Sequence, residues 1–151
     1  MKNKGCSGEH YAMGEAVSKG YVVSKTTETD LLGYDFVMDD GDILYRVEVK
    51  TQDYSGKSQI DGKNFTDRVK FNISRRNSTI GIYDYVHYFA LVSPKFSKIA
   101  WIKYDSIKNT TKKTIYYREF DLFQLPINHK LLNGTLNNIG NDIQDNQINL
   151  F

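Results

Sequence analysis

Glu9, Asp35, Glu48, Lys50 and Gln52 are the residues of this chain whose types and order could carry chemistry. Three of them alternate along one stretch, Ile43 to Gln52. Its odd positions Ile43, Tyr45, Val47, Val49 and Thr51 are mostly apolar, and Arg46, Glu48, Lys50 and Gln52 are polar. Strand side chains alternate with period two, so one face is core and the other a row of charged and amide groups. Asp35 lies upstream in a short apolar run, ahead of the acidic turn Asp39-Asp40-Gly41-Asp42. Two carboxylates and a lysine on a strand's polar face suit metal-dependent phosphodiester hydrolysis. Hard oxygens hold a divalent cation, and the ammonium offsets phosphate charge. The plain alternative is a surface ion pair between Glu48 and Lys50, which is worth little. That alternative leaves Glu9 and Asp35 unexplained, and a carboxylate among apolar neighbours is costly unless it is paired or used.

The elements that must position these residues follow from the pattern around them. Residues 1–7 read as a flexible lead. Ser7 reads as an N-cap, with a helix from Gly8 to about Lys19 and Gly20 as its stop. Ala12, Met13, Ala16 and Val17 make the apolar stripe, and Glu9 lies on its inward side. An inward Glu near a helix N-terminus also suits the helix dipole alone. Tyr21–Val23 reads as a first strand, Thr26–Leu32 as a polar loop, Gly33–Met38 as a second strand and 43–52 as the third. Residues 53–68 are rich in Gly, Ser, Lys and Asp and read as a mobile loop, followed by a short strand over Val69–Ile73. A short helix or turn is expected over 77–84. Val86–Val92 is an uninterrupted apolar run, as in a strand buried on both faces. Pro94–Ser97 reads as a turn, Lys98–Lys103 and Thr114–Tyr117 as strands, and 128–139 as a weak helix.

At 151 residues the chain is expected to form one domain over 1–140 with a flexible tail over 141–151. Hydrophobic residues are 40% and charged residues 25% of the total, which is the composition of a soluble globular protein. The net charge of +2 says little, but its distribution says more. Residues 1–42 carry four lysines against eight acids, a net of −4. Residues 54–76 carry six cations against two acids, a net of +4, and residues 95–118 carry seven against one, a net of +6. An acidic cluster beside basic stretches suits a metal and a polyanion together. The single cysteine, Cys6, excludes an internal disulfide and a cysteine-rich zinc site, and it fits a reducing, cytoplasmic setting. No apolar signal region or membrane-spanning run is visible. The abundance of Asn, Ile, Lys and Tyr points to an AT-rich coding sequence, as in a phage or mobile element.

The order helix, strand, hairpin, long loop, buried strand, strand describes an α/β core with a mixed sheet. On these residues the chain resembles the PD-(D/E)XK nuclease superfamily. The matching pieces are Gly8-Glu9, Gly20-Tyr21, Gly33-Tyr34-Asp35 and Val47-Glu48-Val49-Lys50-Thr51. The spacings of Glu9 to Gly20 and Asp35 to Glu48 are similar to those of archaeal Holliday-junction resolvases. The later segment, from Phe71 through Tyr85–Phe89 to Trp101, is similar to small group I intron homing endonucleases. Tyr34 stands where the motif's proline is usual. The resemblance implies a restriction-endonuclease-like core, a central mixed β-sheet flanked by helices. It also implies that Asp35 and Glu48 ligate Mg²⁺, with Mn²⁺ as substitute and the Val49 carbonyl as a further ligand. Glu9 then completes the acidic cluster, and Lys50 holds or activates the attacking water. Gln52 shares the face of Lys50 and either hydrogen-bonds a phosphate or water or is simply the exposed end of the strand.

Arg68, Lys70, Arg75 and Arg76 are the first choice for phosphate contacts on DNA, with Lys57 and Lys63 behind them. His10, His87 and His129 share no metal-ligand spacing, and His87 in an apolar strand reads as a satisfied core histidine. Trp101 reads as core. The C-terminal Gln147-Ile148-Asn149-Leu150-Phe151 resembles the short peptide by which bacterial and phage proteins bind the replication sliding clamp. Gln147, Leu150 and Phe151 would make that contact, and an amphipathic tail without a partner fits the same residues. The functions in competition are a Mg²⁺-dependent DNA endonuclease, of homing or junction-resolving type, and a catalytically silent DNA-binding or clamp-associated module. Cutting two strands needs two sites, so a homodimer or higher oligomer is expected.

Overall fold

The computed structural model describes residues 4–25, 33–53, 56–60, 62–73, 86–107 and 110–130. Helix α1 spans Lys4–Ser18. It starts a full turn before the expected Ser7 cap, because an N-cap residue type is only a local preference and no proline interrupts residues 4–7. Its far end is as expected. Gly20 takes φ of 93°, its N–H donates to the Val17 carbonyl, and the Tyr21 N–H donates to the Ala16 carbonyl. This double bond pattern around a left-handed glycine satisfies the last carbonyls of the helix.

Five strands form a mixed sheet in the order β1-β2-β3-β6-β7: β1 (Val22–Ser24), β2 (Phe36–Asp39), β3 (Leu44–Thr51), β6 (Tyr88–Ser93) and β7 (Lys98–Lys103). All neighbours are antiparallel except β3 and β6, which run parallel with Glu48 beside Phe89. The β2–β3 hairpin turns through the expected acidic segment, where Asp40 Oδ1 accepts from the N–H groups of Asp42 and Ile43. Helix α1 covers one face of the sheet. There Ala12 and Ala16 pack on Phe36, Met38, Val47, Val49, Ala90 and Trp101. Each large apolar side chain so buried is worth about 1.5–3 kcal/mol.

The opposite face meets a second, smaller sheet in the order β4-β5-β8, formed by β4 (Gly56–Ile60), β5 (Lys63–Asn72) and β8 (Lys112–Tyr116). Its inner residues Val69, Phe71 and Ile115 pack with Phe120 against Phe89, Leu91, Ala100 and Ile102. The expected mobile loop over 53–68 is therefore largely a β-hairpin, turning near Gly62 at φ of 75°. Weak strand formers are held there by ladder pairing to β5, whose C-terminal half is anchored in the core. The second strand also begins later than expected, because Gly33 takes φ of 81° and the chain turns before Phe36. Asp35 thus precedes β2, although its N–H still donates to the Val47 carbonyl. The expected helix or turn over 77–84 and nearly all of the weak helix over 128–139 lie outside the described residues. No helix among the described residues is long and apolar enough to cross a membrane.

Candidate active site

Pairing between β2 and β3 stops at Phe36 and Val47. Beyond that point β3 continues to Thr51 with no β2 neighbour on that edge. The freed N–H of Val49 donates instead to Asp35 Oδ2 at 2.6 Å, so the Asp35 side chain closes the opening between the strands. Glu48 extends from β3 on the face of Phe89, toward the smaller sheet, and is only 6% exposed. The polar row on β3 is therefore not a surface row at Glu48, and the alternative of a surface ion pair does not hold there. Ile43, expected in the core, is exposed before β3 begins. Lys50 lies two residues beyond Glu48, and its Nζ donates to Glu48 Oε1 at 3.1 Å. The ion pair exists, but its carboxylate is not at the surface.

Glu9 approaches from α1. Its carboxylate pairs with Lys25, a partner that sequence reasoning missed because Lys25 lies in a polar segment with no periodic signal. Asp35 feels Glu48 and Glu9, and its pKa is pushed up to about 7. Burial is the largest cause, and the negative charge of Glu48 is the next. The Val49 N–H opposes the shift, whereas the Glu9 charge and a hydrogen bond from the protonated acid to Glu9 add to it. Glu9, Asp35 and Glu48 therefore form one electrostatic unit at the β3 edge. Such a unit is relieved by protonation or by a cation.

Among the described residues no three His, Cys, Asp or Glu side chains close into a ready-made metal cage. Asp35 and Glu48 are the residues that could supply hard oxygens to a cation. A pair of carboxylates fits Mg²⁺, which keeps several waters and completes its shell with substrate oxygens rather than with protein alone. The donor set contains no thiolate or imidazole that would suit a softer metal.

Gln52 lies one residue past β3, exposed, with its N–H donating to the Val92 carbonyl. Arg68 and Lys70 alternate with core residues Val69 and Phe71 on β5 and so face away from the second core. Arg68 pairs with Asp67 at 3.1 Å and lies over the Tyr116 ring, its Cζ 5.2 Å from the centroid. The chain places Lys57 on β4 and Lys63 at the start of β5. Arg75 and Arg76 lie outside the described residues, as do Gln147, Leu150 and Phe151. His87 is half-buried and satisfied as expected: its Nδ1 accepts from the Arg46 N–H, and burial holds its pKa down, with help from Arg46. Trp101 is core.

The mixed sheet with one helix packed across it and acidic residues at the opened edge of a central strand defines a restriction-endonuclease-like fold. Two solved structures share that fold. A bacterial homing endonuclease, I-Ssp6803I, is 19% identical with a TM-score of 0.55, over 74% of this chain and 72% of its own. A Holliday junction resolvase, Hjc of the archaeal hyperthermophile Archaeoglobus fulgidus, is 14% identical with a TM-score of 0.51, over 81% of this chain and 91% of its own. No curated protein sequence matches. The model of the PD-(D/E)XK endonuclease family matches residues 1–125, and the chain belongs to that family.

Proposed function

We propose that this protein is a Mg²⁺-dependent DNA endonuclease that hydrolyses phosphodiester bonds, with Mn²⁺ able to substitute. The observation that carries the reading is the pair of neighbouring carboxylates, Asp35 bound to the Val49 N–H and the buried Glu48, at the opened edge of β3, with Lys50 two residues further on. Asp35 and Glu48 hold the cation, with the Val49 carbonyl as a further oxygen donor and Glu9 completing the acidic cluster directly or through water. The bound cation supplies positive charge at the scissile phosphate and raises the acidity of water there. Lys50 exchanges its Glu48 contact for the attacking water or a phosphate oxygen, orienting one and offsetting the charge of the other. Gln52 hydrogen-bonds a phosphate or water at the strand end. Arg68, Lys70, Arg75 and Arg76, with Lys57 and Lys63, contact the DNA backbone. Two copies act together, since each site cuts one strand.

The reading carries two substrate types, each supported by a structure that shares the fold. A homing-type enzyme cuts one long duplex site, and a resolvase nicks a four-way junction symmetrically. Incubation with plasmid, linear duplex and a synthetic four-way junction, with and without Mg²⁺, separates them. Lys50→Ala is the control. If no substrate is cut, or if Lys50→Ala cuts as well as the parent, the endonuclease reading fails. Binding without metal-dependent cleavage points instead to a silent DNA-binding module.

A further inference from the structure

Helix interiors disfavour glycine, yet α1 contains Gly8 and Gly14. The two differ in what surrounds them. A Cβ at Gly14 would meet nothing within 4 Å, whereas one at Gly8 would sit 1.9 Å from Thr51 Oγ1, 3.0 Å from Thr51 Cβ and 3.1 Å from Thr51 Cγ2. Turning the Thr51 side chain to clear Oγ1 costs its preferred rotamer and still leaves Cβ at 3.0 Å, where the neighbour must give by a few tenths of an ångström. Gly8 is buried, and Thr51 closes β3 one residue after Lys50 and three after Glu48. The Thr51 hydroxyl is buried and has no hydrogen-bond partner among the described residues, so the close contact with Gly8 is steric. The residue after Gly8 is Glu9.

We propose that Gly8 and Thr51 are a positioning pair: the missing side chain at Gly8 lets α1 seat directly on the end of β3, and that seating carries Glu9 to Asp35 and Glu48. This rests on the nuclease reading of the acidic cluster. A methyl group at Gly8 lifts the N-terminal half of α1 and draws Glu9 away, with Asp35, Glu48 and Lys50 left in place on their strands. Displacements of about 1 Å at such sites lower rates by up to roughly a hundredfold.

The test compares the parent with Gly8→Ala, Gly8→Ala/Thr51→Ala and Gly14→Ala. Three quantities are read: cleavage rate at saturating DNA, DNA affinity in EDTA, and the rise in Tm that Mg²⁺ produces without DNA. Gly8→Ala is expected to cut roughly 10- to 100-fold more slowly, to keep its DNA affinity and to lose most of the Mg²⁺-induced rise in Tm. The double variant, relieved of Thr51 Oγ1 and Cγ2 with only Cβ left at 3.0 Å, is expected to recover most of both. Gly14→Ala is expected to match the parent. If Gly8→Ala fails to fold, Gly8→Ala/Thr51→Gly, which removes all three close atoms, takes its place and must restore fold and cleavage together. The pair is refuted if Gly8→Ala matches the parent, or if a folded double variant is no better than Gly8→Ala. A parent that cuts nothing refutes the nuclease reading instead, and the Mg²⁺-induced rise in Tm then decides the pair alone.

Discussion

Between about pH 4 and about pH 7 the folded chain should retain the Asp35 proton that the unfolded chain has lost, because the site raises this carboxyl from 3.8 to about 7. More protons bound in the native state means that stability falls as pH rises across that window. Above it Asp35 is charged in both states and its cost is fully present. Asp35→Asn keeps an oxygen for the Val49 N–H and removes the repulsion with Glu48 and Glu9. The expected outcome at pH 8 is a Tm higher by roughly 2–4 °C, about 1 kcal/mol in a chain of this length, with cleavage abolished. Thermal melts across pH check both halves, and a variant less stable than the parent at pH 8 would contradict the account. Thr51 offers a second measurement at this scale. Its buried hydroxyl has no partner among the described residues, so Thr51→Val is expected to raise stability by about 1 kcal/mol in urea unfolding.

At the scale of elements, α1 and the smaller sheet hold opposite faces of the same five strands. Gly14 in α1 has open space around it, so Gly14→Ala is expected to stabilise the protein by about 0.5–1 kcal/mol. Phe71 on β5 is 1% exposed and packs edge-on to Phe120, with ring centroids 6.5 Å apart. Phe71→Ala is expected to cost about 3–5 kcal/mol, measured by denaturant unfolding, because it empties the contact between the two sheets. The sequence made some of these elements plain and concealed others. Gly20 after an apolar stripe, the Asp-Gly turn before an alternating strand, and the run into Val92 are local signals, and each marks a real element. β4 and the first half of β5 carry no such signal, because their order comes from pairing with residues that only the fold brings near. For the same reason Asp35, Glu48 and Lys50 were legible from alternation and apolar flanks. The Glu9–Lys25 pair and the burial of Glu48 were not: Lys25 lies in a polar segment with no periodic signal, and the burial of Glu48 depends on tertiary packing.

For the whole molecule, the proposed DNA contacts on β5 predict a salt signature. Lys70→Ala is expected to weaken duplex binding about equally across unrelated sequences and to lower the slope of log affinity against log salt by about 1. Affinity titrations at several salt concentrations measure it, and a sequence-selective loss would show that Lys70 does not contact backbone phosphates.

The one parallel pairing among the described residues also bears on how the protein assembles. β3 meets β2 through a tight hairpin, but it meets β6 only after the chain has passed through all of β4 and β5. Contacts between near neighbours form at little entropic cost, and those across a long excursion come late. Asp35 and Glu48 therefore become neighbours early, while both are still hydrated and their repulsion is screened. The burial that raises the Asp35 pKa is expected to follow, as the later pairing sets Phe89 beside Glu48. Closing β6 on β3 thus adds to the burial that a cation at the acidic pair would relieve, and a divalent ion that binds there should slow unfolding more than it speeds folding.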